Sequence, residues 1–240
     1  MNKAFEEEII AHAEEAPDQE VCGFIVLNQD LSVGVCPEKN ENPNPSGCFS
    51  ISPAKFLYYK LNKNVLGVYH SHPISTERPS KQDKLISEEM GMPYLIYSLK
   101  SKKFNLYYPE SYEPAPLTGR PYIKGFYECS CLLKDYFKNN LNLNISKWNA
   151  NYWLPQKDKK ANDLLLKILK KNTIEVEDKK IEKHDIIVFE IKDGGRLHVG
   201  LYCNADMFLH QPIPTLSRTE LLDSRWQNKI KGVYRHPSLV

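Results

Sequence analysis

The sequence predicts a two-domain chain in which an α/β domain is followed by an α+β domain. Its 240 residues allow one or two domains at roughly 100–200 residues each. Helical and strand-like patterns both occur in the N-terminal half, whereas the C-terminal half shows a helix and then mainly strands. Between the halves, residues 109–121 contain four prolines without hydrophobic periodicity, which is typical of a linker. We therefore expect domains over residues 1–110 and 122–240, joined by a proline-rich linker over residues 111–121.

The N-terminal half alternates helical and extended patterns. In order, the predicted elements are a helix over 3–15, a strand over 21–27, a turn over 41–48, a helix over 53–63, a strand over 65–72, a helix over 80–91 and a hairpin of strands over 93–99 and 103–108. Apolar residues four apart favour the first helix. Pro53 suits a first helical turn, where a missing N–H costs least, and Gly91 is a typical helix stop.

The C-terminal half is predicted to form a small antiparallel sheet beside helices. The elements are a helix over 128–141, a lysine-rich helix near 160–171, a turn at 193–195, and strands over 185–191, 198–203, 207–211 and 231–236. β-rich runs bounded by turn residues indicate these strands.

Composition excludes several classes of function. The formal net charge of +2 is too small to favour nucleic acid or anionic lipid as a partner, and we interpret the lysine-rich stretch 157–171 as a solvated helix face. No run approaches the ~18 apolar residues of a membrane span. The acidic, amphipathic start lacks a signal-peptide core, so we expect a soluble protein made in a cytoplasm and not exported. Its six cysteines are expected to be reduced there.

Two histidines and a carboxylate have the spacing of a metal site. His70 and His72 lie two apart at a predicted strand end, so both side chains point the same way, and Asp83 follows on the next helix. Two imidazoles, one carboxylate and an open position describe catalytic zinc. Two plainer interpretations stay open from spacing alone: a His-x-His pair on an exposed strand, and a helix cap formed by Ser80 and Asp83.

The whole segment resembles the JAMM/MPN+ metallopeptidase family, whose motif is a distant Glu, His-x-His-Pro, six residues, Ser, two residues and Asp. The resemblance covers about residues 1–110 and implies an α/β/α sandwich similar to cytidine deaminase. It implies one Zn²⁺ per chain, bound by His70, His72 and Asp83 and lost on His72→Ala. By the same match, Glu20 would activate the attacking water as general acid and base, and Ser80 would bind the oxyanion.

A possible nucleophile begins the second half. Cys129 lies in the first turn of the predicted helix 128–141, where the helix dipole favours the thiolate. His198 begins one predicted strand and His210 lies at the end of the next, so a hairpin would place both near one end, where they could act as base and orienting group. A packed cysteine and structural histidines are the plainer alternative.

This half resembles the NlpC/P60 family of cell-wall cysteine peptidases over about residues 115–240. The segments 125–129 and 198–210 carry the resemblance, which implies a papain-like α+β domain. It implies Cys129 as nucleophile, His198 as base and His210 as the group that orients the base.

This sequence departs from the family pattern in one place, since Glu128 stands where Asp usually precedes the cysteine. Cys131 is a second nearby thiol, but residues two apart on a helix face different sides. We therefore expect Cys129 to react with alkylating agents faster than Cys131.

Fused in this order, the two modules resemble a family of tail assembly proteins of lambda-like phages. The resemblance implies phage tail tip proteins as partners, a peptidoglycan stem peptide as substrate of the thiol centre, and an isopeptide or tail protein as substrate of the metal centre. It implies a location in the host cytoplasm during assembly and at the virion tail tip. Two alternatives remain: an assembly factor with a structural zinc site, and an intracellular isopeptidase unrelated to phage.

Overall fold

The structure is a computed structural model that describes residues 4–143, 145, 159–177, 180–191, 195 and 197–240, with only the backbone for 159–161. Lys157 and the predicted turn residues Asp193 and Gly194 lie outside the described residues. The chain divides into two compact units, with the boundary between Glu113 and Pro114. Among the described helices, none is long and apolar enough to cross a bilayer.

The first unit has a five-stranded mixed sheet. Its described elements are α1 (Ala4–Glu15), β1 (Cys22–Leu27), β2 (Val33–Glu38), α2 (Pro53–Asn62), β3 (Asn64–His72), α3 (Lys81–Met90), β4 (Tyr94–Ser98) and β5 (Lys103–Tyr107). The strand order is β2-β1-β3-β4-β5. Only β3 and β4 are parallel, and α3 connects them.

Helices cover both faces of this sheet, which gives three layers. On one face, a buried cluster that includes Phe24 and Val68 packs against side chains of α2 and α3. On the other face, α1 buries Phe5 and Ile9, and its His12 contacts the Tyr69 hydroxyl at 2.8 Å. Alternate residues of a strand point to opposite faces, so β3 serves both layers. The α/β/α sandwich expected from the sequence is the observed architecture.

Strand β2 was absent from the sequence prediction. It lies at the sheet edge and contains Gly34 and Pro37, two residues that are depleted in strands. Proline is tolerated on an edge strand because its missing N–H need not join the ladder. The long pairing with β1, a tertiary contact, therefore decides its conformation.

The second unit has a six-stranded antiparallel sheet with helices. Its described elements are α4 (Cys129–Leu141), α5 (Lys159–Asn172), β6 (Ile174–Glu175), β7 (Ile186–Glu190), β8 (Leu197–Asn204), β9 (Met207–His210), β10 (Arg218–Leu221), α6 (Ser224–Gln227), β11 (Ile230–Arg235) and a 3-10 turn (Pro237–Leu239). The strand order is β10-β9-β8-β7-β11-β6. This is the α+β architecture that the sequence predicted, although the short elements β6, β10 and α6 were not predicted.

The two faces of this sheet have separate cores. On one face, buried residues of α4 such as Leu133 and Phe137 pack with alternate strand residues such as Val199 and Leu201. On the other face, Phe189, Phe208 and Leu222 form a smaller aromatic cluster with the half-buried Trp226. The second cluster surrounds the two histidines described below.

Part of the predicted linker is packed against the second unit. Arg120 is only 3% exposed, and its guanidinium donates to Asp135 of α4 at 2.5 Å. Its backbone N–H donates to the Ser217 hydroxyl, and Ser217 N–H returns a bond to the Arg120 carbonyl. Residues 114–121 therefore belong to this unit, while residues 111–113 belong to the first.

Candidate functional site

The end of β3 brings two histidine rings together. His70 and His72 are both buried and lie on the same face of the strand, with their Nε2 atoms 3.1 Å apart. His72 Nδ1 is 2.7 Å from the Thr76 carbonyl oxygen. A carbonyl only accepts, so Nδ1 carries a hydrogen, and Nε2 is the nitrogen left to bind a cation. The His70 ring stacks on Phe49 with centroids 4.5 Å apart, which holds its plane.

The first turn of α3 delivers the carboxylate. The Ser80 side chain accepts from the Asp83 N–H at 3.1 Å, and Asp83 Oδ2 accepts from the Ser80 N–H at 2.7 Å. This reciprocal pair is a capping box, which satisfies two donors at the helix start. The plainer interpretation of this segment, a helix cap, is therefore correct as local structure. The same bonds also fix the orientation of the Asp83 carboxylate toward β3.

The three side chains form a cluster with the spacing of metal ligands. The Asp83 oxygens lie 3.4 Å from His70 Nε2 and 3.6 Å from His72 Nε2, and all three ligand atoms lie within 4.8 Å of one another. Tetrahedral zinc with bonds of about 2.0–2.1 Å separates neighbouring ligand atoms by about 3.3 Å. The donor types and their distances therefore fit Zn²⁺, and the cluster could hold one ion.

Glu20 lies beside this cluster, at the entrance to β1. Its Oε1 is 3.9 Å from His72 Nε2, and the side chain is largely buried. The Glu20 N–H donates to the Pro45 carbonyl, and the Asn40 side chain donates to the Glu20 carbonyl. The loop that follows β2 therefore positions Glu20.

A cleft of about 250 Å³ opens at this site. Glu20, His72, Ser80 and Asp83 line it, together with residues that the sequence did not single out. Those additional lining residues are Gly47, Cys48, Phe49, Ser75, Arg78, Gln82 and Ile86. A chain segment entering this cleft would therefore meet His72, Asp83 and Glu20.

The charges of the cluster influence one another. Burial, together with the nearby charge of Asp83, raises the pKa of Glu20 to about 7, although His72 opposes the shift. Burial also raises the pKa of Asp83, but contacts with His70, His72 and Ser80 outweigh it and hold that pKa well below its usual range. Burial lowers the pKa of His70. Asp83 is therefore an anion and His70 neutral near pH 7, which are the forms that bind a cation.

The second candidate site begins at the first residue of α4. Cys129 is partly exposed, whereas Cys131 is buried and its sulfur donates to the Gly125 carbonyl. The N-cap residue Glu128 makes no side-chain cap. Its carboxylate instead accepts from the Gly125 N–H and the Tyr122 hydroxyl, each at 3.3 Å. The longer Glu side chain thus turns back toward the preceding loop. The shorter Asp that the family usually has at this position would instead cap the helix.

The sheet brings the two predicted histidines of this unit together. His198 Nε2 lies 2.9 Å from His210 Nδ1, and both rings are buried. The His198 ring lies near Phe189 and Trp226, in the aromatic cluster, whereas Val199 faces α4. Helix α4 does pack against β8, the strand that carries His198. The approach of Cys129 to His198 stays a prediction.

A charged residue that the sequence analysis did not single out lies next to this pair. Glu220 Oε1 is 3.5 Å from His210 Nε2. Burial lowers the pKa of His210 to about 4 despite this carboxylate, so the ring is neutral near pH 7. The one local signal for Glu220 is the alternation of charged Arg218 and Glu220 in the short strand β10.

Comparisons with known proteins agree with both resemblances. The family model described as prokaryotic homologs of the JAB domain matches residues 2–108, and the model of the NlpC/P60 family matches residues 119–235. The chain therefore consists of a JAB-family domain followed by an NlpC/P60-family domain.

More specifically, the chain is homologous to tail tip assembly protein K of two phages. It is 22% identical over 229 residues to the protein of Escherichia phage N15, covering 95% of this chain and 92% of that protein. It is 21% identical over 189 residues to the protein of Escherichia phage lambda, covering 78% of this chain and 89% of that protein.

One solved structure, of a protein from Desulfitobacterium hafniense, is 33% identical over a region covering 43% of this chain and 80% of that chain. The two structures superpose with a TM-score of 0.35.

Proposed function

We propose that this chain is a tail tip assembly protein of a tailed phage that carries two hydrolytic centres. The N-terminal centre would be a zinc-dependent peptidase or isopeptidase, and the C-terminal centre a thiol-dependent hydrolase of peptidoglycan stem peptides. The main support for the N-terminal centre is the convergence of His70, His72 and Asp83 at a cleft that His72 and Asp83 line. Structural zinc sites are closed by four protein ligands, whereas catalytic sites have three and an open position.

In the N-terminal centre, His70, His72 and Asp83 would hold Zn²⁺. When bound, zinc polarises a substrate carbonyl and makes water a better nucleophile near neutral pH. Glu20 lies in the same cleft, 3.9 Å from His72 Nε2, within reach of a water placed between them. Its carboxylate would take the proton of the attacking water and pass it to the leaving amine.

Ser80 can combine two roles because a hydroxyl both accepts and donates. Its oxygen accepts from the Asp83 N–H, which uses a lone pair and leaves the proton available. Ser80 also lines the cleft. We propose that its O–H donates to the oxyanion of the tetrahedral intermediate, so that the helix cap holds the donor in place.

In the C-terminal centre, Cys129 would be the nucleophile. Its position at the start of α4 places the sulfur near the positive end of the helix dipole, which favours the thiolate. His198 would accept the thiol proton, and His210 would orient the His198 ring through the 2.9 Å contact. Because Nε2 of His198 is engaged by His210, Nδ1 would be the nitrogen that serves the thiol.

Homology supports the setting. The relatives are tail tip assembly proteins, so we propose phage tail tip proteins as partners and the host cytoplasm during assembly, then the virion tail tip, as locations. This argues against an intracellular isopeptidase unrelated to phage. An assembly factor with an inert zinc site is the remaining alternative, and Glu20 and Ser80 in the cleft favour hydrolysis over it, because a structural zinc site requires neither.

The test is hydrolysis of purified peptidoglycan and of its isolated stem peptides, followed by mass spectrometry of the released fragments. We expect the wild-type chain and Glu20→Gln to release stem-peptide fragments, and Cys129→Ala to release none. Cys203→Ala is the matched thiol control and should behave as wild type. Fragment release by Cys129→Ala at the wild-type rate would refute the thiol centre.

The metal centre is tested on a mixed peptide and isopeptide library, read in the same way, with zinc supplied. Cleavage should be lost in Glu20→Gln and retained in Glu41→Gln, an exposed glutamate outside the cleft. Cleavage that persists in Glu20→Gln would refute its role. Absence of any cleavage by wild type in both assays would favour the assembly factor.

A further inference from the structure

A carboxylate lies next to the histidine pair of the second unit. Glu220 is on β10, which pairs with β9 so that Arg218 lies opposite His210 and Glu220 opposite Phe208. Glu220 is thus a diagonal neighbour of His210 on the sheet, within reach of a long side chain. Its Oε1 lies 3.5 Å from His210 Nε2, on the side of the ring away from His198.

Two donors hold the Glu220 carboxylate in place. Trp226 Nε1 donates to Oε2 at 2.9 Å, and Arg218 Nε donates to Oε1 at 2.6 Å. The Trp226 ring also meets the His210 ring edge-on, with centroids 5.1 Å apart. Although burial raises the pKa of Glu220, these two donors lower it below its usual value. Glu220 is therefore a fixed anion near pH 7.

A fixed anion selects the tautomer of a neutral histidine beside it. The buried Nε2 of His210 has no hydrogen-bond partner among the described residues, and the Glu220 carboxylate oxygen lies 3.5 Å from it. At 3.5 Å the contact is longer than an ordinary hydrogen bond, so the selection is mainly electrostatic. A hydrogen on Nε2 points toward the negative charge, whereas a lone pair there would be repelled by it.

The tautomer of His210 then determines the tautomer of His198. With its hydrogen on Nε2, His210 presents a lone pair at Nδ1. That lone pair faces His198 Nε2 at 2.9 Å, so His198 Nε2 must donate, and the basic nitrogen of His198 is Nδ1. Two facing lone pairs or two facing hydrogens at this distance would repel each other.

We propose that Glu220 is a positioning residue that sets the proton arrangement of the His198–His210 pair and makes Nδ1 of His198 the basic nitrogen. The catalytic consequence rests on the proposed role of His198 as base for Cys129. The tautomers themselves do not depend on that role, since they follow from the contacts among Glu220, His210 and His198. Glu220 acts through His210 and touches neither thiol nor substrate in this scheme.

The tautomers are measured directly by two-dimensional ¹⁵N–¹H spectra of the full chain labelled with ¹⁵N-histidine, at pH 7. In wild type we expect His198 and His210 both as Nε2–H tautomers. In Glu220→Ala we expect His210 to shift toward the Nδ1–H tautomer or a mixture, and His198 to follow. Glu220→Gln should lie between wild type and Glu220→Ala, because it keeps an oxygen near His210 Nε2 but removes the negative charge. Glu190→Ala, a partly exposed glutamate paired with Lys231 in the same sheet, is the matched control.

The wild-type spectrum alone tests the proposal, because a His210 in the Nδ1–H form would overturn it. The test therefore does not depend on whether Glu220→Ala folds. Unchanged tautomers in a folded Glu220→Ala would also overturn it. In the stem-peptide assay, Glu220→Ala should lower kcat roughly tenfold to hundredfold, by analogy with the loss of a residue that orients a metal-ligating histidine. KM should change little, and the kcat of Glu220→Gln should lie between those of wild type and Glu220→Ala.

These measurements distinguish the role of Glu220 from the proposed thiol hydrolase. Wild type that cleaves no stem peptide while showing the expected tautomers would refute the proposed thiol hydrolase and leave the role of Glu220 in the histidine pair supported. Wild type that cleaves, with Glu220→Ala equal to it in kcat and in tautomers, would refute the inference alone.

Discussion

The double role of Ser80 predicts that two substitutions will separate stability from activity. In Ser80→Ala, the Asp83 N–H loses the side-chain acceptor that now lies at 3.1 Å. Loss of such an N-cap costs about 1 kcal/mol, whereas replacement by glycine costs only a few tenths. The glycine variant therefore removes the hydroxyl from the cleft while leaving α3 nearly as stable as in wild type.

Amide hydrogen exchange in α3 measures the effect of each substitution on the local stability of that helix. A loss of about 1 kcal/mol in local opening free energy speeds exchange roughly fivefold, and a few tenths speed it less than twofold. We therefore expect clearly faster amide exchange over α3 (Lys81–Met90) in Ser80→Ala than in Ser80→Gly. Mass spectrometry of the full chain, with zinc removed by a chelator, measures both.

Activity should not follow that order. Removing one oxyanion donor costs about 10²–10³ in kcat, so both variants should lose activity on the peptide and isopeptide library by that factor. Ser80→Thr retains a hydroxyl and should stay near wild type in both measurements. Near-wild-type turnover by Ser80→Gly would show that Ser80 serves only as a helix cap.

Three further predictions concern the second unit. Arg120→Ala should destabilise it by about 3–5 kcal/mol, because the substitution leaves the buried Asp135 carboxylate without its cation; guanidinium denaturation measures this. The pKa of His210 is lowered to about 4, so between about pH 6.5 and 4 the unfolded chain binds the extra proton. His210 should therefore cost on the order of 3 kcal/mol of stability as pH falls through that window, visible as a steeper pH dependence of unfolding than in His210→Gln. Iodoacetamide should label the partly exposed Cys129 faster than the buried Cys131, as read by peptide mapping.

Each of the three predictions for the second unit can be contradicted by one result. An Arg120→Ala variant as stable as wild type would mean that solvent reaches Asp135, and Arg120→Met with Asp135→Leu should restore most of the lost stability. Equal pH dependence in wild type and His210→Gln would show that His210 is protonated normally in the folded chain. Dominant labelling of Cys131 would overturn the assignment of Cys129 as the reactive thiol.

Local chemistry explains what could be predicted from the sequence. Helix α3 was predicted over 80–91, and the structure has Ser80 as N-cap and Gly91 as a left-handed C-cap, because caps depend on residues close in sequence. The pairing of His70 with His72 also follows from a period of two at a strand end. Asp83 could be placed in the first turn of the next helix for the same local reasons.

Other features depend on tertiary contacts that no local pattern reports. Strand β10 has four residues and little apolar character, so its pairing with β9 decides both its existence and its register. The proximity of Glu220 to His210 follows from that register. Arg120 was placed in a linker because prolines surround it, and only the fold shows its guanidinium buried against Asp135.

Whether His70, His72 and Asp83 form a metal site is decided by the zinc content of the purified, folded full chain after zinc is supplied and excess removed. We predict about one zinc per chain in wild type and none in His72→Ala. His236→Ala, which changes a histidine near the chain end outside the cluster, should retain the metal. A folded wild-type chain without zinc, or a His72→Ala chain that binds as much as wild type, would show that these three side chains do not form a zinc site.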